Sequence, residues 1–499
     1  MATSNDLLIK QRSVIEFLAA EGCSAANIHA RMKTVYGEMC ISDCAVRKWV
    51  RIFQGEDLRE TILRDRKLSG QPSYSVSQSL AIAKLQNMDN VQIPIVELEV
   101  DPTGSYSNLV SLVRFDRSFR TAGGVNLPKI ITCIGSDGFK RTTLVKGRDD
   151  LRQDAVMQQV FSLVNQLLTT DQDARQRQLS IRTYKVIPLS QKSGLLQWCD
   201  GTMPLGDYLA GRGDAHSRYN PHDWKVIDCR KKIQGAGSLQ EERLKAYQEI
   251  CAHFHPVFRH FFLERFVEPD HWFERRLTYT RSVATNSIVG YILGLGDRHV
   301  NNILIDVETA ELVHIDFGIA FEQGRILPTP ETVPFRLTRD IVDGMGIPGV
   351  EGVFRRCCEK MVQVMKNNSE ALLTIVQVLL HDPLSHWSLS PDEALALQRK
   401  REQAAMDTVD MTLSGQVPSS GMVTQSGQAG HGDTGVAPNE NKEKRNKVAE
   451  RTLLRVRQKL SGEEDGVPLS VSGQVNLLIQ KATDPKNLCR LFHGWQAYL

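Results

Sequence analysis

The chain has ten cysteines but no Cys-x-x-Cys pair. Cys357 and Cys358 are adjacent, and Cys40 and Cys44 have no histidine close by in the sequence, so a zinc site of the usual spacing is not expected. Thiols scattered in this way read as reduced, as in the cytosol or nucleus. Long apolar runs are also missing. The stretch SIVGYILGLG is too short for a membrane span, which needs ~20 residues, so no membrane partner is expected. The opening MATSNDLLIKQRS has no apolar segment of signal-peptide type. Charge of one sign is scarce: 61 Lys and Arg against 58 Asp and Glu leave a net +3. So small an excess makes no strong field toward polyanions. No repeat of solenoid period is present.

What remains is the composition of a globular protein, 41% hydrophobic and 24% charged over 499 residues, long enough for several domains. Residues 1–73 follow a helical pattern and 74–96 read as a connector. Residues 97–400 alternate strand-like and helix-like segments, as one large unit would. Residues 401–446 end in SGQVPSSGMVTQSGQAGHGDTGVAPNENKEK, which is rich in Gly, Ser and polar residues. Such a stretch buries too little apolar surface to offset chain entropy, and is expected to be disordered. A helix over 447–466 and a compact tail over 467–499 follow.

In the first piece, Val14, Phe17 and Leu18 give one helix an apolar face. Ser24 suits the N-cap of a second, AANIHARMKTVYG, which Gly37 closes. Ser42 suits the N-cap of a third, whose Val46, Trp49, Val50 and Phe53 share a face. Arg47, Lys48 and Arg51 lie off that face. Three short helices with a basic third helix fit a DNA-reading helix-turn-helix; they fit a small bundle with a solvated basic face as well. IHARMKTVYGE and CAVRKWVRIFQGE resemble the N-terminal helix-turn-helix of mariner-type transposases, which implies DNA as a partner of residues 1–73.

The large unit holds the ingredients of phosphoryl transfer, which needs a phosphate holder, metal carriers and a group that orients the attacking hydroxyl. GLGDRHVNNILID places Asp297 and Asn302 five apart. That is the offset between the catalytic Asp and the metal-binding Asn of the protein-kinase loop, but here His follows Asp instead of preceding it. Two short apolar runs, Ile303–Ile305 and Leu312–Ile315, then lead to Asp316-Phe317-Gly318. As a hairpin they bring Asn302 and Asp316 together at one end, two hard oxygen ligands suited to Mg²⁺. Upstream, Lys146 ends a strand-like Thr142–Lys146 and can reach phosphates as a point charge. Asp149, Asp150 or Asp154, at the start of a helix, can tether it. Gly135-Ser136-Asp137-Gly138 reads either as a phosphate loop or as an ordinary hairpin turn.

These segments, with LVKGRDDLRQDAVMQQVF, TRSVATNSIVGYILGLGDRH, ELVHIDFGIAFEQGRILPTPETVPFRLTRDIVDGMGI and the last thirty residues, resemble the phosphatidylinositol 3-kinase-related protein kinases. The resemblance implies an α+β fold: a bilobal kinase with a small β-rich N-lobe, a large helical C-lobe and a helical FATC tail, alongside a separate all-α helix-turn-helix domain. It implies Asp297 acting on the substrate hydroxyl and His299 stabilising charge on the transferred phosphoryl. Asn302 and Asp316 would hold Mg²⁺ or Mn²⁺, with Lys146 and the neighbouring Asp149 at the ATP phosphates. Trp198 would stack on adenine and the Cys199 main chain would bond it. The resemblance implies a setting in DNA-damage signalling, in the nucleus or also in the cytoplasm. It also implies Ser or Thr followed by Gln as the substrate site.

The segment FGIAFEQGRILPTPETVPFRL balances Arg325 and Arg336 against Glu322 and Glu331, which argues against an inositol-lipid headgroup and for a protein substrate. Ser77-Gln78, Ser190-Gln191 and Thr424-Gln425 match the family's sites. Thr424, in the polar linker, is expected to be autophosphorylated. The family's dimers form through a FAT domain not found before this kinase segment, which leaves dimerisation in question. The competing reading is a transposon-derived DNA-binding protein with an inactive or unregulated kinase body.

Overall fold

The computed structural model describes residues 24–36, 40, 42, 43, 46, 47, 50, 73–75, 103, 109–116, 118–122, 128–147, 149–211, 213–237, 239–380, 438–464 and 466–499, in two compact units, 1–149 and 150–499.

In the first unit, α1 spans Ala25–Tyr36. Ser24 caps it: its Oγ accepts the Asn27 amide at 3.4 Å and its carbonyl accepts the Ile28 amide at 2.9 Å. Ile28 and Met32, one turn apart, are buried. Further on, the Val46 amide donates to the Ser42 carbonyl at 3.0 Å, and Val46 and Val50 are buried. The helix expected around Val14–Leu18, Trp49 and Phe53, and most of the connector lie outside the described residues.

The rest of the unit is antiparallel sheet: β1 (Ser73–Ser75), β2 (Leu112–Phe115), β3 (Ser118–Thr121), β4 (Lys129–Gly135) and β5 (Lys140–Gly147). β2 and β3 both pair with β4, β3 also pairs with β1, and β5 pairs with β4. Phe119 and Ile131 form its core, with Phe115 and Val145 packed on them. Gly135-Ser136-Asp137-Gly138 is the β4–β5 hairpin turn. Gly138 takes φ +81°, and Asp137 is bound to the Phe139 amide and to Arg141.

The second unit opens with α2 (Arg152–Thr170), which buries Met157, Val160, Phe161, Val164 and Leu168 at helical spacing. A hairpin follows, β6 (Val186–Ser190) and β7 (Ser193–Gln197), then β8 (Thr202–Pro204). After α3 (Gln240–His253) comes α4 (Pro269–Leu293), in which nearly every residue from Tyr279 to Leu293 is buried. This is the apolar run of the sequence, and its all-round hydrophobicity marks the helix at the centre of a core. Among the described residues no helix is long and apolar enough to cross a membrane. β9 (Ile303–Asp306) joins β8 to β10 (Leu312–His314). Then come α5 (Val353–Asn367), α6 (Ser369–Leu380), α7 (Pro438–Ser461), α8 (Val471–Thr483) and α9 (Pro485–Leu488).

The helix α7 begins at Pro438, inside the stretch that composition assigns to a disordered linker. Its first turns are rich in Glu and Lys, polar residues that are also good helix formers. Residues 381–437, Thr424 included, lie outside the described residues. On α7, Ala449, Val456, Lys459 and Leu460 are buried. The lysine at this inward position donates from Nζ to the Tyr291 carbonyl at 2.6 Å and pairs with Glu322. On α8, Val475, Leu478, Ile479 and Ala482 face inward as their spacing predicts. Ser470 caps α8 and Asp484 caps α9, whose first residue is Pro485.

Candidate active site

The candidate loop begins where α4 stops. Gly294 ends the helix at φ +61°, and the Leu295 amide closes back on the Gly290 carbonyl at 2.8 Å. A Cβ at Gly294 would lie 2.5 Å from the Glu322 nitrogen, so only glycine fits. Three main-chain bonds then tie the loop to the segment beyond Asp316. The Phe321 amide donates to the Leu293 carbonyl at 2.8 Å, Glu322 to Gly294 at 3.0 Å and Gly296 to Ile319 at 3.0 Å.

Asp297 sits next, at φ +60°. Left-handed backbone costs an L-residue ~1–2 kcal/mol, so its surroundings must hold it. They do so from two sides. The Asp297 amide donates to Glu331 Oε2 at 2.7 Å, and Asn302 Nδ2 donates to the Asp297 carbonyl at 3.0 Å. Because Nδ2 is spent inward, Asn302 Oδ1 is left as the acceptor. His299 Nε2 lies 3.8 Å from Asp297 Oδ1, and the Asn301 amide donates to His299 Nδ1 at 3.2 Å. An Nδ1 that accepts assigns the ring proton of the neutral imidazole to Nε2, on the side of Asp297.

The β9–β10 register pairs Ile303 with His314, and the Ile315 amide donates to the Asn302 carbonyl at 3.1 Å. Asn302 and Asp316 therefore flank the same end of one hairpin, as the sequence suggested. Asp316 also takes φ +60°. Phe317 after it is fully buried, edge-on to Phe161 with centroids 5.3 Å apart. Its amide donates to Asp154 Oδ1 at 3.2 Å and its carbonyl accepts from Gln153 Nε2 at 2.6 Å. One amide oxygen and one carboxylate form a small, hard donor set. It fits Mg²⁺, which takes few protein ligands and leaves positions to water and phosphate oxygens.

Arg298 is the residue whose role the sequence did not disclose. It is buried, and its guanidinium donates to the carbonyls of Gly296 and Ile315, each at 2.8 Å, and to that of Asp316. It also lies over the Phe317 ring at 5.5 Å. Burial pulls its pKa below the usual arginine range, while Asp297, Asp316 and Glu331 oppose that shift. Arg336 makes a second such clamp. It donates to Trp495, Gln496 and Leu499 carbonyls at 2.8, 2.9 and 2.9 Å, and to that of Arg298 at 3.3 Å. Its guanidinium stacks over Trp495 at 4.3 Å, and burial lowers its pKa to about 9.

Trp198 and Cys199 follow β7, both half-buried. The Cys199 carbonyl accepts Thr202 Oγ1 at 2.6 Å, and burial pushes its thiol up to about 11, so the side chain is no nucleophile. Lys146 and Asp149 belong to the first unit; the other six sequence-selected residues belong to the second. Lys146 Nζ lies 3.4 Å from Asp149 Oδ2. Of the other two carboxylates considered for it, Asp150 forks onto Arg152, with the shortest contact 2.6 Å, and Asp154 receives the Phe317 amide.

Residues 142–389 match the family described as phosphatidylinositol 3- and 4-kinase, and residues 468–499 match the FATC domain. The chain is 57% identical over 420 residues to a pig (Sus scrofa) protein named serine-protein kinase ATM, over 84% of this chain and 13% of that one. It is 50% identical over 386 residues to the Arabidopsis thaliana serine/threonine-protein kinase ATM, over 77% of this chain and 9% of that one. A solved FAT and kinase domain of CtTel1 superposes with TM-score 0.72 at 35% identity, covering 99% of this chain and 32% of that chain. The chain thus spans only about an eighth of the length of the pig relative.

Proposed function

Residues 142–389 belong to the phosphatidylinositol 3- and 4-kinase family and residues 468–499 form a FATC domain; from that premise we propose that the chain is a serine/threonine protein kinase. It moves the γ-phosphate of ATP to a protein hydroxyl. In this reading Asp297 accepts the proton of the attacking Ser or Thr, whose oxygen bonds to phosphorus as the bond to ADP breaks. His299, with its proton on Nε2, donates toward charge growing on the phosphoryl oxygens. Lys146 holds the ATP phosphates, Asp149 orients Lys146, and Trp198 with the Cys199 main chain holds adenine. Asn302 and Asp316 would hold Mg²⁺ or Mn²⁺, which when bound neutralises phosphate charge.

One observation favours protein over lipid. Both arginines of the segment after Asp316 are committed, Arg325 to Glu322 and Arg336 to the carbonyls of the tail. Arg336 is buried, and the exposed Arg325 has its charge balanced by Glu322. The substrate motif is Ser or Thr followed by Gln, and the setting is DNA-damage signalling in the nucleus. The test compares wild type with Asp316→Ala on a Ser-Gln peptide and on phosphatidylinositol vesicles. Phosphorylation of the peptide alone, lost in the variant, supports the reading; equal background levels from both proteins end it. Mapping of the wild-type product should find phosphate on Thr424.

Residues 1–73 are the proposed DNA-binding part, carried by a capped α1 with a buried Ile28–Met32 face and by the buried Val46 and Val50 beyond it. Binding that weakens steeply with salt is expected. Absence of binding at low salt ends that proposal.

A further inference from the structure

The Asp297 main chain is held by a carboxylate from a distant segment. Glu331 Oε2 accepts the Asp297 amide at 2.7 Å. Room for that carboxylate is made by two glycines: a Cβ on Gly296 would lie 2.9 Å from Glu331 Oε2, and one on Gly324 would lie 3.1 Å from the same atom. Glu331 is fixed in turn, its own amide donating to the Gly324 carbonyl at 2.9 Å. Gly324 lies in the segment whose Phe321 and Glu322 amides bond to Leu293 and Gly294. The carboxylate therefore reaches Asp297 only while residues 321–331 are seated against the end of α4.

We propose that Glu331 is a positioning residue, whose carboxylate holds Asp297 in its left-handed conformation and so makes catalysis depend on the seating of residues 321–331. This rests on the kinase reading above. Glu331 touches no reacting atom in this scheme. It acts through the direction in which the Asp297 side chain leaves the main chain, and misplacement by ~1 Å is worth about 100-fold in rate. What Asp297 requires is an acceptor for its amide. A glutamine supplies that acceptor through its side-chain oxygen, and an alanine does not.

The experiment uses the full chain as wild type, Glu331→Gln and Glu331→Ala. Steady-state kinetics on a Ser-Gln peptide is combined with amide hydrogen exchange. Glu331→Ala should lower kcat by about 10- to 100-fold and leave KM for ATP within about twofold. Its Asp297 amide should exchange fast while Tyr279–Leu293 stays protected. Glu331→Gln should restore kcat to within a few-fold and restore protection at Asp297. The proposal is overturned if Glu331→Gln is as slow as Glu331→Ala, or if Glu331→Ala keeps near-wild-type kcat. It is also overturned if protection in Glu331→Ala is lost throughout α4, which would mark a general structural role. Failure of the kinase reading looks different: wild type then does no better than Asp316→Ala, while exchange at Asp297 still reports the contact.

Discussion

The loop after α4 and the tail helix α8 lie in the same unit and are held by opposite means. α8 offers an apolar face of Val475, Leu478, Ile479 and Ala482, all buried. The loop has two left-handed aspartates nearby in space and is fixed by a few polar contacts from Arg298, Asn302 and Glu331. An apolar face tolerates exchange among side chains of similar volume. A guanidinium that meets three carbonyls at once does not, because its fork geometry is the function. The loop is thus built where geometry is least forgiving.

The largest expected effect tests the loop end of that contrast. Asp297→Asn, nearly isosteric, should lower kcat on a Ser-Gln peptide by about 10²–10⁴-fold with the melting temperature little changed. In the tail, Leu478→Ala should cost about 2–5 kcal/mol of stability, read as a lower denaturation midpoint. Arg298→Lys keeps the charge but loses the fork. It should cost about 1.5–3 kcal/mol and most of the activity, whereas Leu478→Met should cost under about 1.5 kcal/mol and leave kcat intact. An active Arg298→Lys enzyme would break the comparison.

The smallest effect is a slope with pH. His314, at the end of β10, has a buried Nδ1 without a hydrogen bond, and burial lowers its pKa to about 3. The folded state keeps it neutral where the unfolded chain, near pKa ~6.5, binds a proton. Its contribution is therefore complete above pH ~6.5 and is lost as pH falls toward 3, by at most about 1.4 kcal/mol per unit. His314→Phe should flatten that part of the acid limb in urea melts at successive pH values.

The same contrast explains what the sequence made legible. The face of α8 and the Asp484-Pro485 start of α9 depend on neighbours close in the sequence, and spacing finds them; the Ser470 cap of α8 came only with the structure. Asn302 and Asp316 were also legible as neighbours, because one short hairpin joins them. The bond from Asp297 to Glu331 spans 34 positions and that from Phe317 to Asp154 spans 163. In a linear reading Asp154 is one of three candidates to tether Lys146 and Glu331 only balances charge. Lys459 hid in the same way, since an inward-facing lysine in α7 reads as a break in the apolar stripe. The start of α7 was missed because Glu and Lys serve a helix surface and a solvated linker equally well.

Phe317 carries a consequence for inhibitor design. Its ring fills a closed site against Phe161, its amide is bound by Asp154, and its carbonyl is bound by Gln153. A small molecule that works by expelling this phenyl ring must break both main-chain bonds and uncover the Arg298 guanidinium that lies over the ring. Compounds that leave Phe317 in place meet none of those costs.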